Sequence, residues 1–296
     1  MAGFIEQAIN SVLSQDYPRI EYLVVDGGST DGTVEILRRY QDRLSFTSGP
    51  DNGPAEAINR GFERSTGAIF AWLNADDLYL PGAIRAAVEA LAARPRTDAV
   101  YGEGCWIDAG GRIVAPYPTH DFDPSLLPQE CFICQPACFM RRETFAGLLL
   151  DTRLQYAFDY DLWIRAAARH AFARIPRVLA HSRMHLGNRT LGQRYAMLRE
   201  CLRVLQHHYG YVPFRWVHTY CSYLVDHRDQ FFEPLRPTLF KYLLSLPVGC
   251  WHNRHSLGRY WNEWRGVMSM DALRRRWREH AAGHPAGAGS GRPGPE

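Results

Sequence analysis

FAWLNADDL, residues 70–78, decides the fold of this chain, because an apolar run leads directly into two adjacent acids, Asp76 and Asp77. The run from Ala68 to Leu73 lacks the polar alternation of a half-exposed strand and predicts a strand that is covered on both faces. In open parallel α/β sheets, ligands bind in the crevice outside the carboxyl ends of the strands. We therefore expect Asn74, Asp76 and Asp77 to face a ligand.

The two acids admit two interpretations. Carboxylate oxygens are the ligands that Mg²⁺ and Mn²⁺ prefer, and a cation that also contacts substrate phosphates often uses only one or two of them. The same pair fits an Asx turn that caps the helix predicted from Pro81, since Asp is common at helix caps. This stretch alone does not decide between a cation site and a cap.

Strands and helices alternate through the first half of the chain. A second apolar strand, 20–25, ends at Asp26, and the glycine-rich loop 27–32 follows it. Apolar residues at helical spacing predict helices at 4–15 and 54–64. The alternation predicts an α/β fold with a doubly wound, mostly parallel, Rossmann-like sheet.

The pattern changes in the second half. Residues 116–136 are rich in proline and predict a loop over the site, and arginine-rich and aromatic-rich helices follow from about residue 190. The last residues are glycine, proline and alanine with almost nothing to bury, so we expect disorder there. We predict an α/β domain over 1–190, a helical C-terminal region over 191–282 and a disordered tail over 283–296.

Composition limits the class of protein. Hydrophobic residues make up 46% of the 296 and charged residues 22%, which is ordinary for a folded protein, and a net charge of +3 is too small to indicate a nucleic acid partner. Lys241 is the only lysine, which argues against Schiff-base chemistry and against a phosphate-loop lysine. No apolar run approaches the roughly 20 residues of a spanning helix, and the N-terminus lacks a signal-peptide pattern, so we expect a cytoplasmic location.

Five segments, in this order along the chain, resemble the large family of inverting nucleotide-sugar glycosyltransferases with the A-type fold, often called family 2. They are VVDGGSTDGT (24–33), DNGPAEAINRGF (51–62), GAIFAWLNADDLYLPGA (67–83), FDYDLWIR (158–165) and HSRMHLGNRT (181–190). The resemblance covers roughly residues 4–190. Each segment alone is a weak signal, but five in the same order are a strong one.

The resemblance implies roles in donor binding for four of these polar residues. Asp26 corresponds to the acid that recognises the nucleotide base, and Asn74 lies in the motif that handles ribose and metal. Asp76 corresponds to the direct ligand of Mn²⁺ or Mg²⁺, and Asp77 supports it or binds the sugar. A cation held by carboxylates neutralises charge on the leaving diphosphate, which explains these residue types chemically.

The resemblance also implies a catalytic base and a further metal contact. Asp159 matches the general base, which takes the proton of the acceptor hydroxyl, although it equally fits a helix cap. His185, in an Arg-x-His pattern, matches a position that helps to coordinate the metal or the diphosphate, with a structural role as its alternative. For Asp161 and His181 a structural role is the favoured interpretation.

The chain departs from the family pattern at four points. Gly27 and Asn74 stand where most members carry an acid, and Phe158 stands where they carry a Glu before the base. The chain also begins inside the first helix, at Met1, so the first strand of such sheets is missing. Because that strand is central, we expect either that the start codon is misassigned or that the chain is truncated. An in-frame stop immediately before Met1, with no strand-coding sequence upstream, would reject this expectation.

We predict a non-processive, metal-dependent, inverting glycosyltransferase that moves one sugar from a nucleoside diphosphate sugar, UDP-linked by preference, to a glycan or lipid-linked acceptor in cell-surface polysaccharide synthesis. The basic, aromatic C-terminal helices suggest peripheral contact with the inner face of the membrane, and the run 274–278 fits either that contact or a solvated helix face. The rival is a degenerate member that binds a nucleotide or a partner without transfer. A nucleotidyltransferase is a third hypothesis, but the sequence shows no glycine-rich, basic phosphate loop near the N-terminus.

Overall fold

The computed structural model describes residues 1–227 and 238–268. The helices, in chain order, are α1 (Ala2–Leu13), α2 (Thr33–Arg39), α3 (Pro54–Arg64), α4 (Ala83–Ala93), α5 (Arg142–Ala146), α6 (Phe158–Ala167), α7 (Arg189–Gly192), α8 (Arg194–Tyr209), α9 (Phe214–Asp226), α10 (Leu239–His252) and α11 (Leu257–Met268). The strands are β1 (Leu23–Asp26), β2 (Ser45–Ser48), β3 (Ile69–Phe70), β4 (Leu78–Tyr79), β5 (Ala99–Ile107), β6 (Ile113–Pro116), β7 (Cys138–Arg141) and β8 (Phe172–Arg183). Two 3₁₀ turns, Pro124–Leu126 and Gln135–Ala137, lie in the proline-rich loop and just before β7.

The strands form two sheets whose pairing is mixed. β1 and β2 pair in parallel, and the second sheet has the order β3-β7-β5-β8-β4, with β6 paired to β5. In that second sheet β5 and β8 are parallel to each other. β7 is antiparallel to both of its neighbours, β3 and β5, and β4 is antiparallel to β8. The predicted α/β fold is confirmed, but the prediction that its sheet is mostly parallel is wrong in this respect.

The strand that opens the FAWLNADDL stretch is shorter than predicted. Only Ile69 and Phe70 pair with β7, opposite Arg141 and Met140. β7 itself continues back to Cys138, and the 3₁₀ turn Gln135–Ala137 lies immediately before it. The side-chain amide of Gln135 instead donates to the backbone carbonyl of Trp72 at 2.8 Å, so a side chain replaces the missing ladder hydrogen bond.

One apolar core joins the sheet to the C-terminal helices. It includes Trp72 next to β3, Trp163 on α6, Leu202 on α8, Val217 on α9 and Tyr260 on α11, all of them buried. The indoles of Trp72 and Trp163 stack with their centroids 5.8 Å apart. The helices therefore stabilise the α/β part by burying its apolar surface, and the boundary at residue 190 stays a prediction.

Two predictions lie outside the described residues. They are the disordered tail over 283–296 and the basic run over 274–278. In the described part of the chain, no helix is both long enough and apolar enough to cross a bilayer.

Candidate active site

The pairing of β4 with β8 builds the centre of the site. The two strands run antiparallel with Leu78 opposite His181, so the residues just before β4 face those at the end of β8. The backbone N–H of Arg183 donates to Asp77 at 2.8 Å as a consequence. Residues that are about 105 positions apart in sequence thus meet at one edge of the sheet.

Asp76 and His185 are in direct contact at this edge. Nε2 of His185 lies 3.1 Å from Oδ2 of Asp76, and both side chains are almost buried. Phe4 on α1 packs against the imidazole, with the ring centroids 4.6 Å apart. The two residues that the sequence assigns to the metal are therefore neighbours, although neither role is tested by this contact.

The carboxylate of Asp77 forms hydrogen bonds within and next to the turn and does not face the crevice. It is 2% exposed, and its carboxylate accepts from the backbone of Arg183 and from the side-chain amide of Asn74 at 3.0 Å. Burial, with the neighbouring Asp76 carboxylate as a second cause, raises the pKa of Asp77 well above its ordinary value. The geometry gives Asp77 a structural position, and its predicted contact with the donor stays a prediction.

Arg183 stabilises the acidic turn through hydrogen bonds of its guanidinium. Its guanidinium donates to the backbone carbonyl of Asp76 at 2.8 Å, to that of Ala109 at 2.9 Å and to Oε1 of Gln7 at 2.8 Å. The side chain is buried and also lies over the ring of Phe4 at 4.9 Å. Planar, multiply donating arginine suits such a junction, so Arg183 ties helix α1 and the β5–β6 hairpin to the acidic turn.

Asn74 is exposed at the start of the turn, and its side chain makes two hydrogen bonds. Its amide donates to Asp77 and, at 3.1 Å, to Oε1 of Gln135. Gln135 in turn donates to the carbonyl of Trp72. The chain of amides fixes Asn74 at the surface of the crevice, where a ligand can reach it.

Asp26 lies in the other sheet, at the carboxyl end of β1. Its Oδ2 accepts from the hydroxyl of Ser48 at 2.6 Å and from the backbone N–H groups of Gly28 and Ser29 at 3.0 and 2.9 Å. Burial alone would raise the pKa of Asp26, but these hydrogen bonds outweigh it and leave the pKa below its ordinary value. Asp26 is therefore a stable anion.

A cleft of about 260 Å³ opens beside Asp26, between β1, β2 and α3. Arg60 and Arg64 line it together with the acids Asp26 and Glu63, so charges of both signs face the cleft. Asp76, His185 and Asp159 are not among its lining residues. The structure thus does not bring Asp26 and the Asp76–His185 pair into this one cavity.

Asp51 occupies the space beside Gly27, where the sequence comparison expects an acid. A Cβ on Gly27 would lie only 2.6 Å from Oδ2 of Asp51. Asp51 accepts from the backbone of Gly53 at 2.9 Å. The carboxylate of Asp51, from a neighbouring loop, therefore occupies the space that a side chain at position 27 would fill.

Asp159 is the second residue of α6, and its carboxylate accepts from the backbone N–H of Tyr160 at 2.8 Å. Burial is the main cause that raises its pKa, to about 6, and the charge of Glu200 on α8 adds to the effect. A carboxyl with this pKa is mostly ionised at neutral pH and is a stronger base than an ordinary one.

Asp161, on the same helix, has a structural position. Its two oxygens contact Nε of Arg165 at 2.8 Å and Nε2 of His208 at 2.7 Å. His208 belongs to α8, so Asp161 joins α6 to the C-terminal helices. This agrees with the interpretation that the sequence favoured.

The donor set at Asp76 and His185 fits a divalent cation in its chemistry. One carboxylate oxygen and one imidazole nitrogen suit Mn²⁺, and Mg²⁺ or Mn²⁺ sites commonly take their remaining ligands from phosphates and water. Among residues 1–227 and 238–268, no three acidic, histidine or cysteine side chains converge as a complete metal site. A cation here would therefore depend on the substrate for its other ligands.

Sequence reasoning missed three residues that shape this site. Arg183 was quoted only as part of a pattern, and its fixed position among carbonyls depends on strand pairing. Gln135 had no signal beyond its place in a proline-rich loop. Glu200, described below, lies on a helix whose spacing is that of an ordinary amphipathic helix.

The arrangement of the sheets and helices is the A-type glycosyltransferase fold. The model of the glycosyl transferase family 2 matches residues 2–149, which is half of the chain. The chain belongs to glycosyl transferase family 2.

Two relatives illustrate the similarity in sequence. An uncharacterized glycosyltransferase of Rickettsia typhi is 31% identical over 197 residues, which are 62% of this chain and 61% of that protein. The O-antigen biosynthesis protein RfbC of Myxococcus xanthus is 30% identical over 191 residues, covering 61% of this chain and 15% of RfbC. The chain thus spans about three fifths of the length of the Rickettsia relative.

Solved structures show the same fold at low identity. Residues 1–349 of the S. aureus protein TarS, in complex with UDP, superpose with a TM-score of 0.56 at 14% identity, covering 88% of this chain and 86% of that fragment. A mannosyltransferase from Pyrobaculum calidifontis in complex with GDP-Man and Mn²⁺ gives 0.53 at 19% identity, covering 95% and 77%.

Proposed function

We propose that the protein is a non-processive, metal-dependent, inverting glycosyltransferase that moves one sugar from a UDP-sugar to a glycan or lipid-linked acceptor. The single observation that carries the proposal is the contact of Asp76 with His185 at the end of the acidic turn. The similarity to an O-antigen biosynthesis protein supports a role in cell-surface polysaccharide synthesis. The complexes of fold neighbours with UDP and GDP-Man support a nucleoside diphosphate sugar as donor.

Asp159 acts as the base in this proposal. Its carboxylate accepts the proton of the acceptor hydroxyl while the hydroxyl oxygen bonds to the anomeric carbon. The bond from that carbon to the diphosphate oxygen breaks, and its electron pair leaves with the nucleoside diphosphate. Attack from the face opposite the leaving group gives inversion.

Asp76 and His185 would hold the cation, and Asn74 and Asp26 would contact the nucleotide. A bound cation supplies charge neutralisation at the leaving diphosphate. Because Arg183 and Gln135 fix the turn before any ligand binds, the site loses little conformational freedom when the donor arrives.

The test is nucleotide release from a panel of UDP- and GDP-sugars, with Mn²⁺, with Mg²⁺ or with EDTA. We expect release of UDP with Mn²⁺ and none with EDTA, and acceptor-free reactions measure hydrolysis separately. Release that EDTA leaves unchanged would contradict metal dependence. Inverted product stereochemistry by NMR completes the assignment, and retained configuration would reject inversion.

A second candidate is a protein that binds the nucleotide or a partner without transfer. The observation that favours it is that β1 and β2 form a sheet of their own within the described residues, so no strand pairing joins the strand that carries Asp26 to the strands beside Asp76. Donor binding with no release from any sugar in the panel would support this candidate.

The outer face of α10 supports contact with a membrane surface at its cytoplasmic side. Its exposed residues are all apolar from Leu239 to Trp251, namely Leu239, Phe240, Leu243, Pro247 and Trp251. Lys241, the one Lys or Arg of this helix, is buried and paired with Asp226. Exposed apolar surface of this kind marks an interaction site.

The charge around this face favours anionic lipid as its partner. Arg254 is exposed just after the end of α10, and Arg259 and Arg265 are exposed on α11. Basic residues beside apolar and tryptophan side chains are typical of helices that lie in a membrane interface. An acceptor carried on a membrane lipid would then be within reach of the enzyme.

Replacing both Leu243 and Trp251 with Glu should weaken binding to vesicles that contain anionic phospholipid by at least about tenfold, since each buried apolar side chain contributes ~1.5–3 kcal/mol. Co-sedimentation measures the binding. Ile113→Glu, an equally exposed apolar residue on β6, is the matched control and should bind like the wild type.

Unchanged vesicle binding of the double variant would reject the membrane contact. A wild-type dimer in light scattering that becomes a monomer in the double variant would assign the face to a second copy instead.

A further inference from the structure

Glu200 on α8 is a buried carboxylate that serves a distant loop. It is 3% exposed. Its two oxygens share the backbone N–H of Gln155, at 3.1 Å each, and Oε2 also accepts those of Tyr156 and Ala157, at 2.6 and 2.8 Å. Three consecutive N–H groups thus converge on one side chain that lies more than 40 residues further along the chain.

The loop that Glu200 holds is the approach to α6. Helix α6 begins at Phe158, immediately after Ala157, and Asp159 is its second residue. The backbone N–H groups that precede a helix have no partner within it, so their position depends on whatever accepts them. Glu200 therefore holds the segment that leads directly into α6 and Asp159.

The groups that face Asp159 come from three parts of the fold. They are Tyr117 after β6, Cys131 in the proline-rich loop, and Glu200 and Cys201 on α8. Burial raises the pKa of Tyr117 and of Cys131 well above their ordinary values, and that of Cys201 to about 12. The phenol and the thiols are therefore neutral at neutral pH.

The charge next to Asp159 comes from Glu200. Glu200 is the charged residue that contributes to the raised pKa of Asp159, after burial itself. Three N–H groups point at its oxygens, and the guanidinium of Arg203 on the same helix lies 3.9 Å from Oε1. A like charge nearby makes a carboxylate hold its proton more tightly.

We infer that Glu200 is a positioning residue for transfer, which fixes the start of α6 from α8 and keeps a negative charge beside Asp159. The inference rests on the proposed role of Asp159 as the base. It extends the active site into the C-terminal helices, because the residue that orders the base belongs to α8.

The two parts of this role can be separated with two variants. Glu200→Gln keeps the size and removes the charge, so the acidic limb of the kcat–pH profile should move to lower pH by about half a unit to one unit. Glu200→Asp keeps the charge but withdraws it by one methylene from the loop, so the limb should stay in place while kcat falls about tenfold. If the role of Glu200 were merely structural, the acidic limb of the kcat–pH profile would keep its wild-type position in both variants.

Glu263→Gln is the matched control, because Glu263 is also a hydrogen-bonded glutamate of the C-terminal helices and accepts from Tyr211. Its limb should coincide with that of the wild type. Circular dichroism checks that each variant is folded at the assay temperature, and if Glu200→Gln is not, Glu200→Asp still tests the positioning of the base.

The outcomes distinguish this inference from the proposed function. Wild-type kcat in Asp159→Asn would reject Asp159 as the base, and the role of Glu200 with it. An inactive Asp159→Asn, together with wild-type limbs and kcat in both Glu200 variants, would reject only the role of Glu200.

Discussion

Asp159→Asn should lower kcat for transfer about a thousandfold, while the affinity for UDP stays within about twofold of the wild type. Removal of a general base typically costs ~10²–10⁴ in rate. Asparagine keeps the size of the side chain but cannot accept the proton of the acceptor hydroxyl. Initial rates at saturating donor give kcat, and calorimetric titration gives the affinity for UDP.

Asp161→Asn is the matched control for this prediction. Asp161 lies two residues further along α6 but contacts Arg165 and His208 rather than the crevice. Its replacement should lower the melting temperature and leave kcat of the folded enzyme within a few-fold. A kcat for Asp159→Asn within tenfold of the wild type would remove Asp159 from the chemistry.

Asp76→Ala should weaken the Mn²⁺-dependent binding of UDP about a hundredfold, or ~2.7 kcal/mol, because the cation loses one of its two side-chain ligands. Binding of UDP without Mn²⁺ should change little. The measurement is a titration of UDP at fixed Mn²⁺ and in EDTA, so that the difference between the two affinities isolates the contribution of the metal.

Asp98→Asn provides a control at the opposite end of β5. Asp98 accepts from the backbone of Ala171, far from the acidic turn along the strands. The Asp98→Asn variant should be slightly less stable than the wild type and should keep the full gain in UDP affinity that Mn²⁺ gives. If Asp76→Ala retains that effect too, the cation binds elsewhere or not at all.

The turn after β3 was predictable from sequence because its signal is local. An apolar run that ends in Asn74, Asp76 and Asp77 predicts polar groups at the end of a strand. The structure places them in the turn between β3, which already ends at Phe70, and β4. The helix predicted over 54–64 has the same bounds in the structure, where Pro54 occupies its first turn.

β8 was missed because its sequence contains Pro176, which normally excludes a central strand. The structure accommodates it at an irregularity: Gly102 pairs with Ile175 and Glu103 with Val178, so Pro176 and Arg177 bulge out of the ladder. Only the pairing with β5 reveals this, and that pairing joins residues about 70 positions apart.

The roles of Glu200 and Arg183 are likewise non-local. Each side chain satisfies backbone groups of segments far away in sequence, and neither composition nor spacing shows which carbonyl or N–H lies within reach. The predicted pair of Asp76 and His185 came from resemblance, and the structure supplies the reason for their proximity in the pairing of β4 with β8.

The single lysine gives the protein a built-in reporter. Lys241 is fully buried between α9 and α10 and paired with Asp226, so an amine-reactive reagent reaches its side chain only when those helices separate. Apart from the terminal amine, acylation of the chain therefore measures how often this part of the fold opens, without any engineered label. The same chemistry applied in the presence of vesicles records whether a lipid surface clamps the two helices together.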